Sequence, residues 1–443
     1  MNNHISTVLS KLGFAELNAM QSEVYDTVLH GRDDVVVLSP TGSGKTLAYL
    51  LPLLEMLDAS TEDVQALVIV PGRELALQSS NVMQRIGGGL RCQSCYGGRA
   101  AMDEHRQMKN IRPHVIFGTP GRLNDHLSKG NVSADSIRYL VIDEFDKCLE
   151  MGFQEEMSRL IGRLPMLERR ILLSATDAEQ IPRFVEMRRT ARLDYLMDEE
   201  VVPERVEAYE VKCEQKDKLL PLKQLLLQLG ETQSVVFLNY RDSVERVSQY
   251  LGEQGFVVSS FHGGMEQRQR EEALYKFSNG SANVLVSTDL ASRGLDIPKL
   301  DNVIHYHLPM NEDALIHRVG RTARWDAIGS TYFLVGPEEE LHLSALSLIP
   351  YHLDAPDHGN NEKVPMPKMS TLYIGKGKKD KISKGDIVGF LCKSGGLNPS
   401  EIGQIDVLER YAYVAVHSSR VQQVLRNVKG QKIKGIRTVV EPA

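Results

Sequence analysis

Cysteine is scarce and poorly arranged for cross-linking: five residues, an odd number, are scattered over 443. A disulfide framework needs paired cysteines in a small secreted chain, so this count excludes one and fits a reducing compartment. Cys92 and Cys95 form a lone Cys-x-x-Cys, with no second pair and no adjacent His in the sequence to complete a tetrahedral zinc site. Long apolar runs are also missing. The most hydrophobic stretch, Leu47 to Leu57, is too short to span a bilayer and contains Pro52 and Glu55. The first residues lack a basic region followed by an apolar run, so no secretory signal is visible and a cytoplasmic address is expected. Low-complexity tracts and short tandem repeats are absent too. What remains, 42% hydrophobic and 25% charged residues, describes an ordinary globular protein of two or three packed units.

The net charge of −6 hides an asymmetry. Residues 370–443 hold 13 Lys+Arg against 6 Asp+Glu, a net of +7, which leaves −13 on residues 1–369. A basic tail on an acidic body points to a polyanion-binding appendage.

Short β-rich apolar runs alternate with longer amphipathic segments, the pattern of strand–helix units that build a parallel sheet. One series comprises Val35–Leu38, Leu67–Val70, Val115–Phe117, Leu140–Ile142 and Ile171–Leu173. A second comprises Val235–Leu238, Val257–Ser259, Val284–Val286, Val303–Tyr306 and Thr331–Val335. These runs are apolar without alternation, as strands covered on both faces are. The pattern predicts two α/β domains, residues 1–200 and 204–351, and a linker at 352–369 marked by Pro356, Pro365 and Pro367. Residues 370–443 then read β-α-β-β-α-β, the split βαβ order of a small α+β domain of the RNA-recognition-motif (RRM) type.

The first run leads into Ser39-Pro40-Thr41-Gly42-Ser43-Gly44-Lys45-Thr46 and a helical segment. Backbone N–H groups of such a loop cradle phosphate oxygens, with Lys45 reaching the β/γ-phosphates and Thr46 the Mg²⁺. Ser39 stands where the strict pattern has Gly. A second strand ends in Asp143-Glu144, which supplies a carboxylate for Mg²⁺ and one to orient or deprotonate an attacking water. Adjacent acids at a strand end are otherwise ordinary turn residues, and the phosphate loop on the same sheet favours the catalytic reading. In the second series, His317-Arg-Val-Gly-Arg-Thr-Ala-Arg324 places three arginines at spacings of three, on one face if helical. They form either a solvated basic face or cations that meet charge developing on a transferring phosphoryl group. The latter makes an active site shared by two domains, closing on ATP and opening for product release.

Together these motifs resemble the DEAD-box RNA helicases over residues 10–340. The resemblance implies two tandem RecA-like parallel-sheet domains and an RNA-stimulated ATPase that uses ATP and Mg²⁺ to unwind short duplexes. It implies that Gln21, after Phe14, reads adenine, and that Asp296 touches ribose. Arg73, Gly97, Gly98, Thr119, Arg122, Arg270, Thr288 and Arg293 would contact RNA, while Asp146, Ser174 and Thr176 couple hydrolysis to strand separation. His317, Arg321 and Arg324 would serve catalysis, the last two as arginine fingers. Phe145, Gly72 and Ala323 depart from the family pattern without removing a residue assigned to metal, water or γ-phosphate. An ATP-gated RNA clamp would need the same residues.

The tail resembles the RNA-binding module of DbpA-type bacterial members, through Thr371 to Lys381, Gly385 to Gly389 and Tyr411 to Val416. That likeness implies a 23S or precursor large-subunit rRNA target, a role in ribosome assembly and a monomer. Tyr411 and Tyr413 are either base-stacking residues or core and sheet-surface residues. Lys376, Lys378, Lys379 and Lys381, with Lys384, form either a solvated loop or a phosphate-contacting patch.

Overall fold

The computed structural model describes residues 3–12, 14–40, 42–98, 101–176, 181–196, 206–289, 300–310, 312–319, 329–341, 347–354 and 363–443. They fall into two compact units that divide between Glu204 and Arg205.

In the first unit, seven strands form one sheet: β1 (Asp34–Leu38), β2 (Ala66–Ile69), β3 (Cys92–Cys95), β4 (Val115–Gly118), β5 (Tyr139–Ile142), β6 (Arg169–Ser174) and β7 (Thr190–Asp194). Their order is β3-β4-β2-β5-β6-β1-β7, and every pairing is parallel. Strands such as Asp34–Leu38 are buried throughout because helices cover both faces: Val35 and Val37 point into one core and Val36 and Leu38 into the other. Parallel pairing gathers the carboxyl ends of all strands on one edge. On that edge β5, β6 and β1 adjoin on one side and β3, β4 and β2 on the other.

The second unit carries a like sheet, β8 (Val206–Lys212), β9 (Ser234–Leu238), β10 (Val258–Phe261), β11 (Val284–Thr288), β12 (Asn302–His305), β13 (Gly329–Val335) and β14 (Leu348–Tyr351). The order is β10-β11-β9-β12-β13-β8-β14, again parallel. The same unit contains the tail. There β15 (Met369–Ile374), β16 (Ile402–Val407), β17 (Ala412–His417) and β20 (Val440–Pro442) make an antiparallel sheet in the order β16-β17-β15-β20, and β18 (Lys432–Ile433) and β19 (Ile436–Arg437) form a separate hairpin. Helices Lys384–Lys393 and Val421–Val428 cover one face, over a core that includes Leu372, Ile374, Phe390 and Val414. The expected β-α-β-β-α-β order is present, with the hairpin as an addition. No helix among the described residues is long and apolar enough to cross a membrane.

Candidate active site and nucleic-acid interface

The phosphate loop follows β1, where Ser39 N–H donates to the carbonyl of Ser174 at the end of β6. Gly42 and Gly44 have φ of +87° and +89°, a left-handed backbone that glycine adopts at little steric cost. Lys45 begins the helix Lys45–Met56; its Nζ donates to the carbonyls of Ser39 (2.5 Å) and Pro40 (2.7 Å). The Ser43 hydroxyl oxygen is buried with no hydrogen-bond partner among the described residues. A polar atom buried without a partner in a glycine-rich loop suits a phosphate oxygen. Thr41 lies outside the described residues.

Gln21 sits beside this loop for a local reason. Asn18 caps the helix Ala19–His30: its Oδ1 accepts from Gln21 N–H (2.7 Å), and Gln21 Oε1 accepts from Asn18 N–H (3.1 Å). Asn18 Nδ2 then donates to Ser43 O (2.9 Å) and Gln21 Nε2 to Gly44 O (3.3 Å). Asn18 was not among the expected site residues, although Asn-x-x-Gln ahead of a helix is a capping-box signature. Phe14 is 56% exposed beside the start of this helix.

Asp143 and Glu144 follow β5. Burial raises the Asp143 carboxyl to about 6, against the pull of the nearby Lys45 ammonium. Glu144 has φ +51°, an uncommon conformation for a residue with a side chain, and its N–H donates to Asp143 Oδ1 (3.0 Å). Burial and Asp143 also push the phenol of Tyr49 well up, so it stays a neutral hydroxyl at the foot of the site. Phe145 is buried in the core beneath the sheet, which accommodates its departure from the family pattern. Asp146 Oδ2 accepts from Thr176 Oγ1 (3.2 Å), and Ser174 Oγ donates to Thr176 O (2.6 Å). Asp146 and the Ser174–Thr176 segment are therefore in direct contact.

The other half of the edge gathers the first-unit RNA candidates. Arg73 starts the helix Arg73–Ile86 after β2, and its guanidinium lies 3.6 Å from where a Cβ on Gly97 would stand. Gly98 has φ +91°. Thr119 caps the helix Pro120–Ser128, and Arg122 Nε donates to Tyr96 O (3.3 Å). Cys92 and Cys95 point to opposite faces of β3 and join different cores, so the pair cannot chelate one ion.

In the second unit, Arg318 is only 1% exposed and differs from the expected one-face trio. Its Nε and Nη2 bind Asp289 (2.5 and 2.6 Å), and Nη1 and Nη2 reach His307 O (2.7 Å) and Asn239 Oδ1 (2.8 Å). It thus ties together the ends of β11, β12 and β9 and is neither a solvated cation nor a finger. Arg321, Arg324, Arg293 and Asp296 lie outside the described residues, as does the side chain of His317. Thr288 is buried at the end of β11, and Arg270 packs over the ring of Phe261 (4.9 Å).

Of the two readings of Tyr411 and Tyr413, their surroundings match that of core and sheet-surface residues. Tyr373, Tyr411 and Tyr413 occupy the sheet face opposite the tail's own helices, and the helix Gln267–Ser278 covers them. Tyr275 stacks on Tyr413 and donates to Gln404 O (2.6 Å); Arg268 lies over Tyr373 (5.0 Å) and Tyr411 (5.7 Å). Tyr411 donates to Glu271 Oε2 (3.1 Å), and Asn279 to Thr371 Oγ1 (2.9 Å). Among the lysines, Lys376 is paired with Asp380 (3.0 Å), whereas Lys378, Lys379 and Lys381 are exposed.

The chain matches the DEAD/DEAH box helicase family over residues 18–184, the helicase conserved C-terminal domain over 217–326 and the DbpA RNA binding domain over 371–442. It is 36% identical over 438 residues to the ATP-dependent RNA helicase DbpA of Escherichia coli (strain K12), covering 97% of this chain and 95% of that one. The chain is a DEAD-box ATP-dependent RNA helicase of the DbpA type. The Bacillus subtilis (strain 168) DbpA helicase is 29% identical over 479 residues, covering all of this chain and 98% of its own length. Among solved structures, yeast (S. cerevisiae) Dbp5 bound to RNA and ADP BeF3 aligns with a TM-score of 0.69 at 25% identity, covering 76% of this chain and 88% of Dbp5. Mss116p bound to single-stranded RNA and AMP-PNP, at 24% identity and a TM-score of 0.72 over 80% of this chain and 78% of its own, shares the fold. Membership makes this helicase an ATP-binding, RNA-stimulated ATPase with two RecA-like domains and an RNA-binding tail.

Proposed function

We propose that this helicase separates short duplexes in 23S rRNA or its precursor during ribosome assembly, as a cytoplasmic monomer addressed by its tail. The observation that carries the addressing is the tail itself. Its tyrosine face is covered, its remaining surface bears Lys378, Lys379 and Lys381 beside Lys434, and its net charge is +7. Lysines meet backbone phosphates without reading sequence.

In the ATP site, Lys45 holds the β/γ-phosphates, Gln21 and Phe14 receive adenine and Asp296 the ribose. Thr46 and Asp143 offer the hard oxygen ligands that suit Mg²⁺. When bound, Mg²⁺ neutralises charge on the phosphate oxygens. Glu144, held by its strained backbone against Asp143, takes the proton of the attacking water. Arg321 and Arg324 stabilise the transferring charge, with His317 in the same motif. Asp146, Thr176 and Ser174 pass the change at the phosphates to RNA held by Arg73, Gly97, Gly98, Thr119, Arg122, Arg270, Thr288 and Arg293.

Replacing Lys378, Lys379 and Lys381 by Glu in the full chain tests the address. Affinity for a large-subunit rRNA fragment should fall by about tenfold or more with a shallower salt dependence, while ATPase stimulated by saturating generic RNA persists. Unchanged fragment affinity would refute the proposed surface. A displacement assay with a short RNA duplex separates unwinding from clamping, because a clamp hydrolyses ATP without releasing a strand.

A further inference from the structure

The helix Ala101–Ile111 contains none of the motif residues, yet its Glu104 lies buried directly behind the RNA half of the first unit's edge. Oε1 accepts the N–H of Tyr96 (3.2 Å), the residue before Gly97-Gly98. Oε2 lies 3.0 Å from His126 Nε2 and 3.3 Å from Arg122 Nε. Asn131 Nδ2 donates to His126 Nδ1 (3.0 Å), so Nδ1 is the accepting nitrogen and Nε2 carries the proton given to Glu104. One carboxylate therefore gathers a backbone amide from the segment after β3 and an imidazole and a guanidinium from the helix Pro120–Ser128.

Cys95, Glu104 and His126 place their ligand atoms within 4.8 Å of one another, which raises the question of a metal. The Arg122 guanidinium against the same carboxylate opposes a cation there. His126 already donates its Nε2 proton, and burial pushes the Cys95 thiol well up, toward the neutral form that binds metal poorly. Glu104 and His126 are instead held in a hydrogen-bond network. The Glu104 carboxylate is 2% exposed and the Arg122 side chain 12%, so the charge buried on Glu104 is met by the guanidinium, whose position it fixes.

We propose that Glu104 is a positioning residue for RNA binding: it touches no RNA but locks the Arg122 guanidinium and the Tyr96–Gly97 peptide into one phosphate-receiving surface. Anchoring Nε to Glu104 and to the Tyr96 carbonyl sets the direction of the terminal guanidinium nitrogens. The proposal rests on the reading of Arg122 as an RNA contact.

The test is a double-mutant cycle in the full chain with Glu104→Ala, Glu104→Gln, Arg122→Ala and the Arg122→Ala combinations. Melting temperature, affinity for an ATP analogue, turnover at saturating RNA and the half-saturating RNA concentration are read for each. Glu104→Ala should raise half-saturating RNA about tenfold with ATP affinity and saturated turnover nearly unchanged, and Glu104→Gln should recover most of that loss by keeping an acceptor oxygen. With Arg122→Ala already present, either change at Glu104 should add less than about twofold, because the contact it serves is gone. If melting shows that Glu104→Ala does not fold, Glu104→Gln carries the cycle, with an expected shift of about threefold. Additive effects, or a loss of ATP affinity with unaltered RNA dependence, would overturn the proposal. If Arg122→Ala alone leaves RNA dependence unchanged while Glu104→Ala alters it, the RNA-contact reading of Arg122 fails and takes the proposal with it.

Discussion

The ring of Tyr275 lies on the ring of Tyr413, centroids 5.2 Å apart and planes 27° from parallel. Tyr275 belongs to the helix Gln267–Ser278 and Tyr413 to the tail strand β17, so one stacked pair joins this helix to the RNA-binding tail. The Tyr275 hydroxyl strengthens the joint by donating to Gln404 O, and burial pushes its phenol well up, which keeps it a neutral donor.

Tyr275→Ala should loosen this joint. A stacked aromatic pair contributes about 1 kcal/mol beyond the area it buries, so amide hydrogen exchange along the helix Gln267–Ser278 should quicken while β9 and β12 keep their protection. Unchanged exchange would mean that the contact holds nothing.

Gly44→Ala should weaken ATP binding. Gly44 has φ +89°, and an added Cβ would stand 2.3 Å from Gln21 Nε2, so the substitution strains the backbone and displaces Gln21, the residue proposed to receive adenine, together. An increase in Kd for a fluorescent ATP analogue of about tenfold is expected, from one to two kcal/mol of strain. An unaltered Kd contradicts the described loop.

Glu144→Gln keeps the size and the backbone of the residue but removes its basicity. Steady-state ATP turnover should fall by about a hundredfold or more while ATP and RNA still bind. Near-normal turnover would remove Glu144 from the role of base.

His305 predicts an acid limit for the second unit. It is fully buried, stacks on Phe333 (4.2 Å between centroids), faces Thr331 through Nε2 and the Arg318 guanidinium through Nδ1. Burial, then the Arg318 charge, holds its pKa well below the ordinary 6.5, and burial lowers His307 likewise. The unfolded chain therefore binds protons below about pH 6.5 that the folded chain refuses, and stability is lost as pH falls through that value, by up to about 1.4 kcal/mol per pH unit for each such group. Urea denaturation from pH 7.5 to 5.5 should show this slope, and His305→Gln should reduce it. An equal slope in the variant would place the effect elsewhere.

The strands legible in the sequence are those dominated by consecutive apolar residues, such as Val35–Leu38 and Val235–Leu238, because both faces are buried. Those that escaped notice lie at or near sheet edges. β3 reads Cys-Gln-Ser-Cys and hides Gln93 by donating to Glu104 O, β7 alternates between half-covered and open positions, and β8 interrupts its apolar residues with Glu207, Glu210 and Lys212. The nucleotide site was legible because its chemistry forces a local pattern of glycine, lysine and paired acids after strands. Arg318 was misread since spacing alone cannot distinguish a solvated arginine from one tied to Asp289 twenty-nine residues earlier. The joint at Tyr275 and the network at Glu104 escaped for the same reason: their partners come from segments far apart in the chain.

ATPase stimulation measured against RNA identity tests whether the tail addresses this RNA-stimulated ATPase to large-subunit rRNA. Steady-state turnover of the full chain and of residues 1–368 is compared with large-subunit rRNA fragments and with generic RNA of equal length. The full chain should respond to fragments at much lower concentration than to generic RNA, and the truncated chain should lose that preference while remaining an ATPase. Equal stimulation by every RNA, with or without the tail, would contradict it.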